Sequence, residues 1–307
     1  MEQSWRQAKS IFATMLSAPL FWLVLFFLVP MGVVWLYSFG ENRGLIDIAF
    51  TGTWSNYRHA FDPLYLGIFG KSIWIAGLTT FLCLVVGFPV ALAITFAPEK
   101  AKAWLLLLVM LPFWTNLLIR TYALMSIMGN QGLINNLLGF FWHATSGIMT
   151  HAGMQPLPDF EPLRLLYNNN AVIFGLVFVN LPFMILPLYS TLDRMDRSLL
   201  EASMDLGAGH LQTLFHVVVP MASAGIGSGI LITFIPALGS YLTPDMLGGS
   251  GAQMIANVIE NQFKGANNWP FGAALSFILV YMTFIGVALQ GILESNARKR
   301  QAQAGQA

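Results

Sequence analysis

No Asp, Glu, Lys or Arg occurs between Lys9 and Glu41, Lys71 and Glu99, Arg164 and Asp193, Asp205 and Asp245, or Lys264 and Glu294. A sixth apolar run begins at Trp104 and is interrupted only by Arg120. A helix needs about 20 apolar residues to cross a bilayer, and each run supplies that. The pattern predicts six helices near 18–39, 72–97, 104–128, 171–192, 221–243 and 270–293. Membrane barrels show short alternating strands instead, whereas these runs are continuous. The first run is too long for a signal-peptide core and no clean small-x-small site follows it, so it reads as an uncleaved anchor.

Charges outside the runs orient the chain, because Lys and Arg favour the cytoplasmic side. With the N-terminus inside, that side holds Arg6, Lys9, Lys100, Lys102, Arg194, Arg197, Arg298, Lys299 and Arg300. The outer side holds only Arg43, Arg58, Lys71, Arg164 and Lys264. Both termini are therefore expected in the cytoplasm, with a short segment 1–17, a transmembrane domain 18–293 and a tail 294–307. Prolines recur within the spans (Pro30, Pro89, Pro112, Pro182, Pro187, Pro236). Each removes a backbone donor and is expected to kink its helix.

Composition agrees: 56% of the 307 residues are hydrophobic and 9% charged, against about a quarter charged in soluble domains. A soluble enzyme is excluded on that ground. The net charge of +1 gives no electrostatic basis for nucleic-acid binding. Cys83, the single cysteine, excludes a disulfide framework within the chain.

The loop 193–220 between the fourth and fifth spans is the most informative stretch. Ser198 and Glu201 have capping-box spacing, which predicts a short helix starting at Ser198. Leu199, Ala202 and Leu206 fall on one face of it, and Gly207 supplies a left-handed end. A second short helix from about Leu211 would lead to Pro220. The expected product is a helix–turn–helix knob with an exposed apolar patch.

The order Glu201-Ala202-Ser203, three residues, Gly207, nine residues, then Val217-x-Val219-Pro220 resembles the coupling-loop signature of ABC importer permeases. Ser203 stands where a second alanine is usual, and valines replace Ile and Leu. Further segments extend the resemblance along most of the chain, to the first permease subunits of spermidine/putrescine importers. They are Asp62-Pro63-Leu64-Tyr65, Pro112-Phe113-Trp114-Thr115-Asn116 with Ile119-Arg120, Leu181-Pro182-Phe183-Met184, Pro187-Leu188-Tyr189-Ser190 and Trp269-Pro270-Phe271-Gly272-Ala273-Ala274. The resemblance implies an all-α type I permease in a bacterial cytoplasmic (inner) membrane, with Glu201, Ala202, Ser203, Leu206 and Gly207 in a coupling helix that docks on a separate ATPase. The implied partners are a second permease, two ATPase copies, a periplasmic binding protein and the lipid bilayer. ATP and Mg would be bound by the ATPase and no cofactor by this chain, which is then not an enzyme. Gly70-Lys71-Ser72 mimics a phosphate loop, but Tyr65 occupies its leading glycine position.

A polyamine needs carboxylates or aromatic faces along its route, yet no carboxylate falls inside an expected span. Trp114, Tyr122 and Tyr241 offer cation–π faces worth about 2 kcal/mol when desolvated. Asn116 and Asn180 are candidate acceptors, Tyr57 and Trp269 candidates at the outer mouth, and Asp245 and Glu260 the nearest acids. Any one of them also fits a core aromatic or a packing amide. Arg120 reads as a member of a structural ion pair, because a cation would repel a polyamine. Gly225-x-x-x-Gly229 reads as intrachain helix packing, and His210 and His216 as coupling-loop residues without a metal. A permease for another small solute, an ion-coupled secondary transporter and a membrane enzyme are the competing classes. The uncharged spans and the coupling signature speak against the last two.

Overall fold

The computed structural model describes residues 9–43, 48–151, 155 and 157–304. Arg6 lies outside the described residues, and around Arg298, Lys299 and Arg300 only the helical backbone is described. Helix α1 (Lys9–Leu23) continues through a π-turn (Val24–Leu28) into α2 (Val29–Tyr37). A two-stranded antiparallel hairpin follows, β1 (Glu41–Asn42) with β2 (Ile48–Ala49), pairing Glu41 with Ala49. Next come α3 (Ser55–Ala60), α4 (Pro63–Phe96), α5 (Glu99–Trp114), α6 (Leu117–Met128), α7 (Leu133–His151) and α8 (Asn169–Leu192). The remainder is α9 (Ser198–Asp205), α10 (His210–Thr213), a second π-turn (Leu214–Val218), α11 (Val219–Met221), α12 (Ser223–Leu238), α13 (Leu242–Gly248), α14 (Ile255–Lys264) and α15 (Trp269–Ala304).

Among the described residues four helices are long and apolar enough to cross a membrane: Phe12–Tyr37, Pro63–Phe96, Asn169–Leu192 and Trp269–Ile292. Two bent pairs, each counted as one span, bring the number to six: Glu99–Trp114 with Leu117–His151, bent by 94°, and His210–Met221 with Ser223–Leu238, bent by 67°. The expected third span, 104–128, is thus not one helix. Thr115 and Asn116 are extended (ψ 146° and 136°), and the Asn116 side chain accepts the Leu118 N–H at 2.8 Å, which starts a new helix. The expected fifth span, 221–243, is shorter, because α12 stops at Gly239 and α13 begins after Tyr241. Helix α7 was not anticipated, although residues 121–158 contain no charge.

The helices continue across some of the prolines and break after others. Helices α4 and α8 run through Pro89, Pro182 and Pro187. The sharp breaks come just after Pro112 and Pro220. Ahead of Pro30 and Pro220 the helix widens: Val29 N–H reaches the Val24 carbonyl, and Val219 N–H the Leu214 carbonyl. A proline ring clashes with the carbonyl four residues back, and a five-residue turn gives it room.

Two compact units are present, Met1–Leu66 with Val258–Phe284, and Gly67–Asn257 with Ile285–Ala307. In the first, Asn56 donates to the Ser38 and Gly40 carbonyls at 3.0 and 2.8 Å, and Trp35 donates to the Tyr281 hydroxyl at 2.9 Å. Phe39 lies among the rings of Trp35, Trp54 and Tyr57. In the second unit α8 is central. Its Met184, Ile185, Leu188 and Leu192 are buried with Cys83, Ala91 and Ile94 of α4 and with Val218 and Ala222. Helix α12 lies against α8 through Gly225 and Gly229: a Cβ at Gly225 would meet Thr191 Oγ1 at 2.6 Å, and one at Gly229 Met184 Sδ at 2.8 Å. The small-residue face is therefore intrachain packing, as expected. Leu124 and Met128 of α6 share a smaller core with Ala171 of α8 and Leu247 of α13.

Candidate functional site

The loop after α8 forms the expected knob, with one change of capping residue. Ser198 is the first residue of α9, and its backbone N–H donates to Asp196 Oδ1 at 3.0 Å, so Asp196 does the capping. That bond pulls the Asp196 carboxyl below its ordinary range. Helix α9 ends as Gly207 takes φ +86°, a conformation costly for any residue with a Cβ. Gly209 N–H donates to the Gln212 side chain at 3.1 Å to open α10. Ser203 Oγ and Thr213 Oγ1, 3.0 Å apart, join the two short helices.

The knob shows apolar groups to its surroundings. Leu206 is 90% exposed, and Leu199, Leu211 and Phe215 are exposed as well. Glu201, Ala202 and Gly207 are exposed, and Ser203 is half-buried. Large apolar side chains in this state call for a partner surface. The opposite side of the segment is fixed, since Met195, Leu200 and Leu214 pack on the core formed by α4 and α8.

Polar ties reinforce that side, and the sequence did not announce them. Lys102, 7% exposed, donates to Asp193 Oδ1 and Glu99 Oε1, each at 2.8 Å. The Lys102 ammonium holds the Asp193 carboxyl below its ordinary range. Arg197 Nη2 donates to the Thr95 carbonyl at 3.1 Å, and its guanidinium carbon lies 5.6 Å from the centre of the Phe96 ring. The only available signal was the placement of Lys102 and Arg197 at the same expected face.

The candidate path residues are divided between the two units. In the first unit, Tyr57 bonds Ser38 at 2.9 Å, Glu260 pairs with Lys264 at 2.8 Å, and Trp269 donates to Asn267 at 3.0 Å. Burial pushes the Tyr57 phenol up, so it stays neutral. In the second unit, Trp114 is 78% exposed at the end of an apolar depression of about 240 Å³ with Leu106, Leu107, Met110 and Leu111. Tyr122 lines a different cleft, of about 830 Å³, with Met125, Ser126, Asn130, Arg164 and Tyr167. Asn180 is buried and donates to the Leu176 carbonyl at 2.8 Å, the packing role. Asn116 caps α6, the Tyr241 carbonyl accepts from Asn257 at 2.8 Å, and Asp245 is exposed in the first turn of α13.

Arg120 is not in the ion pair expected for it. It is 9% exposed in α6, and its Nε and Nη1 are enclosed with no hydrogen-bond partner. No ion pair among the described residues includes it. The phosphate-loop mimic Gly70-Lys71-Ser72 lies inside the continuous helix α4. There Ser72 donates to Ile68 and accepts from the Ile255 N–H, both at 2.8 Å. No loop exists at this point to wrap a phosphate.

Residues 6–299 match the family model described as binding-protein-dependent transport system inner membrane component. The spermidine/putrescine transport system permease protein PotB of Haemophilus influenzae is 39% identical over 261 residues, 85% of this chain and 86% of that protein. PotB of Escherichia coli is 38% identical over 258 residues, 84% of this chain and 88% of the relative. The inner membrane ABC transporter permease protein YdcU of Escherichia coli is 29% identical, with 88% and 87% covered. Among solved structures, a chain of a bacterial ABC transporter involved in the import of the acidic polysaccharide alginate superposes with a TM-score of 0.71 at 14% identity, covering 96% of this chain and 99% of that one. A second alginate transporter structure, in complex with an alginate pentasaccharide-bound periplasmic protein, gives 0.65 over 93% and 95%. The expected type I importer permease fold is the fold observed.

Proposed function

The chain belongs to the family of binding-protein-dependent transport system inner membrane components, the permeases of ABC importers, and we propose that it carries polyamines such as spermidine or putrescine. The observation behind this reading is the identity of 38–39% over most of the chain with permeases named for those two substrates. In this reading the chain provides alternating access and a separate ATPase provides the drive. The knob 193–220 docks on that ATPase through Glu201, Ala202, Ser203, Leu206 and Gly207, with both termini on the same cytoplasmic side. A second permease, two ATPase copies carrying ATP and Mg, and a periplasmic binding protein complete the assembly. The exposed Leu206 and Leu211 support a docking surface, and the closed helix at Gly70-Lys71-Ser72 supports a chain that hydrolyses nothing itself.

Exposed aromatic faces, Trp114 and Tyr241 among them, would contact the polycation in passing. Tight fixed anions would hold a substrate that must leave quickly. The decisive measurement is uptake of radiolabelled putrescine and spermidine by cells whose own polyamine importers are deleted and which express this chain with its gene neighbours. Saturable uptake of either supports the assignment, and none of either overturns it. In the same cells Trp114→Ala and Tyr241→Ala should each slow uptake about fivefold or more with assembly intact. If both leave the rate untouched, the aromatic route is wrong.

A further inference from the structure

The knob is joined covalently to α8 and α12, but the side chains tie it to a third place, the turn between α4 and α5. Thr95 lies in the last turn of α4, where carbonyls have no helical N–H partner. Arg197 supplies that partner at 3.1 Å and stacks over Phe96. On the other side of the Ala97-Pro98 turn, Lys102 sits in the first turn of α5 and grips Asp193, the residue that closes α8. The two contacts bracket the turn. Both start from residues that precede α9, so a displacement of the knob reaches α5 without passing along α8.

We propose that Lys102, with Asp193 and Arg197, is a strut that transmits movement of the coupling knob to the α4–α5 hairpin. The inference rests on the reading of the knob as the ATPase-docking segment. Lys102 is a positioning residue: it touches neither nucleotide nor substrate, and acts by holding α5 to the loop. Its geometry suits the role. A flexible, exposed lysine would transmit little, because such pairs are mobile and screened, whereas this ammonium is enclosed and its two oxygen partners are both at 2.8 Å. Glu99, with a side chain 85% exposed, is the weaker partner, and Asp193, at 35%, the stronger. Helix α5 ends at Trp114, immediately before the sharp break into α6. From the strut, α5 thus leads to one of the two bent helix pairs found among the described residues.

The test uses the whole transporter, reconstituted with its ATPase, partner permease and binding protein in proteoliposomes, with uptake and ATP hydrolysis measured together. Lys102→Met and Asp193→Asn should each lower the uptake per ATP by about fivefold or more. The double variant should be no worse than either single one, and Lys102→Arg should keep most of the wild-type ratio. The ATPase should still co-purify with all of them. Gly207→Asp is the control for docking and should release the ATPase. An unchanged ratio in the single variants, or losses that multiply in the double, overturns the strut. Failure of the ATPase to co-purify with the wild-type chain would overturn the docking reading instead. If Lys102→Met does not accumulate in the membrane, the exchanged pair Lys102→Asp with Asp193→Lys decides. Recovery of the uptake-to-hydrolysis ratio supports the strut, and recovery of accumulation alone overturns it.

Discussion

Lys102 and Arg120 are buried to almost the same degree, 7% and 9% exposed, in the two successive helices α5 and α6. One is held by two carboxylates; the other has its Nε and Nη1 enclosed with no hydrogen-bond partner among the described residues. Burying a charge is costly unless a partner compensates it. The paired cation fixes a geometry, and the described residues supply no such tie to Arg120 Nε and Nη1. The difference teaches where rigidity has been placed: at the root of the knob, and not in the helix beyond the break.

That contrast can be broken most directly at Asp193. Removing its carboxylate with Asp193→Leu leaves Lys102 gripped only by the exposed Glu99. Uptake per ATP should collapse and the thermal midpoint of the detergent-solubilised chain should fall, as followed by a fluorescence melt. Unchanged melting together with an unchanged uptake per ATP would mean that the pair is ornamental. At Arg120 the sign should reverse. Arg120→Met removes unsatisfied buried donors, each costing about 1–3 kcal/mol, and should leave stability equal or higher in the same melt. A large loss there would reveal an acceptor for the guanidinium and erase the contrast.

Gly207→Ala probes the knob without touching either cation. The position is open in space but has φ +86°, so the cost is backbone strain of about 1–2 kcal/mol. Co-purification of the ATPase should weaken severalfold while the melt shifts little. The smallest effect is on pH dependence. Lys102 depresses the Asp193 carboxyl below 3.8, so its contribution is present above that ordinary value and is lost only as pH falls through the lower, folded one. Uptake per ATP should therefore be flat from pH 7 to about 5. A decline centred in that window would mean that another group controls the tie.

Much of this was legible beforehand, for reasons visible in particular residues. Gly207 and Pro220 carry their own backbone demands, so the end of α9 and the foot of α12 could be placed from spacing alone. The close approach at Gly225 and Gly229 was equally local in origin. The tie of Lys102 to Asp193 joins positions 91 residues apart, and no periodicity reports such a pairing. The break at Thr115-Asn116 was hidden because hydropathy sees a continuous apolar run where an asparagine caps a new helix. Helix α7 (Leu133–His151) lies in a charge-free run as well, 121–158, but Asn, Gln, Gly, Ser, Thr and His interrupt its apolar pattern, so hydropathy does not mark it as a span. Among the path residues, Asn116 Oδ1 accepts from the Leu118 N–H and Asn180 donates to the Leu176 carbonyl, contacts that composition does not report.

The π-turn at Leu214–Val218 has a consequence for how a push on the knob arrives. An ordinary helix advances about 100° per residue, and the five-residue turn inserts one extra position. The face that α10 presents is thereby out of phase by about 100° with the face that an unbroken helix would hand on to α11. Deleting one residue between Leu214 and Val218 would restore the phase and swing Leu211 toward a different side of the segment. The proline thus sets a clocking angle, as a keyway does on a shaft, and under the proposed docking reading that angle would set the direction in which a push on the knob turns the helices beyond it.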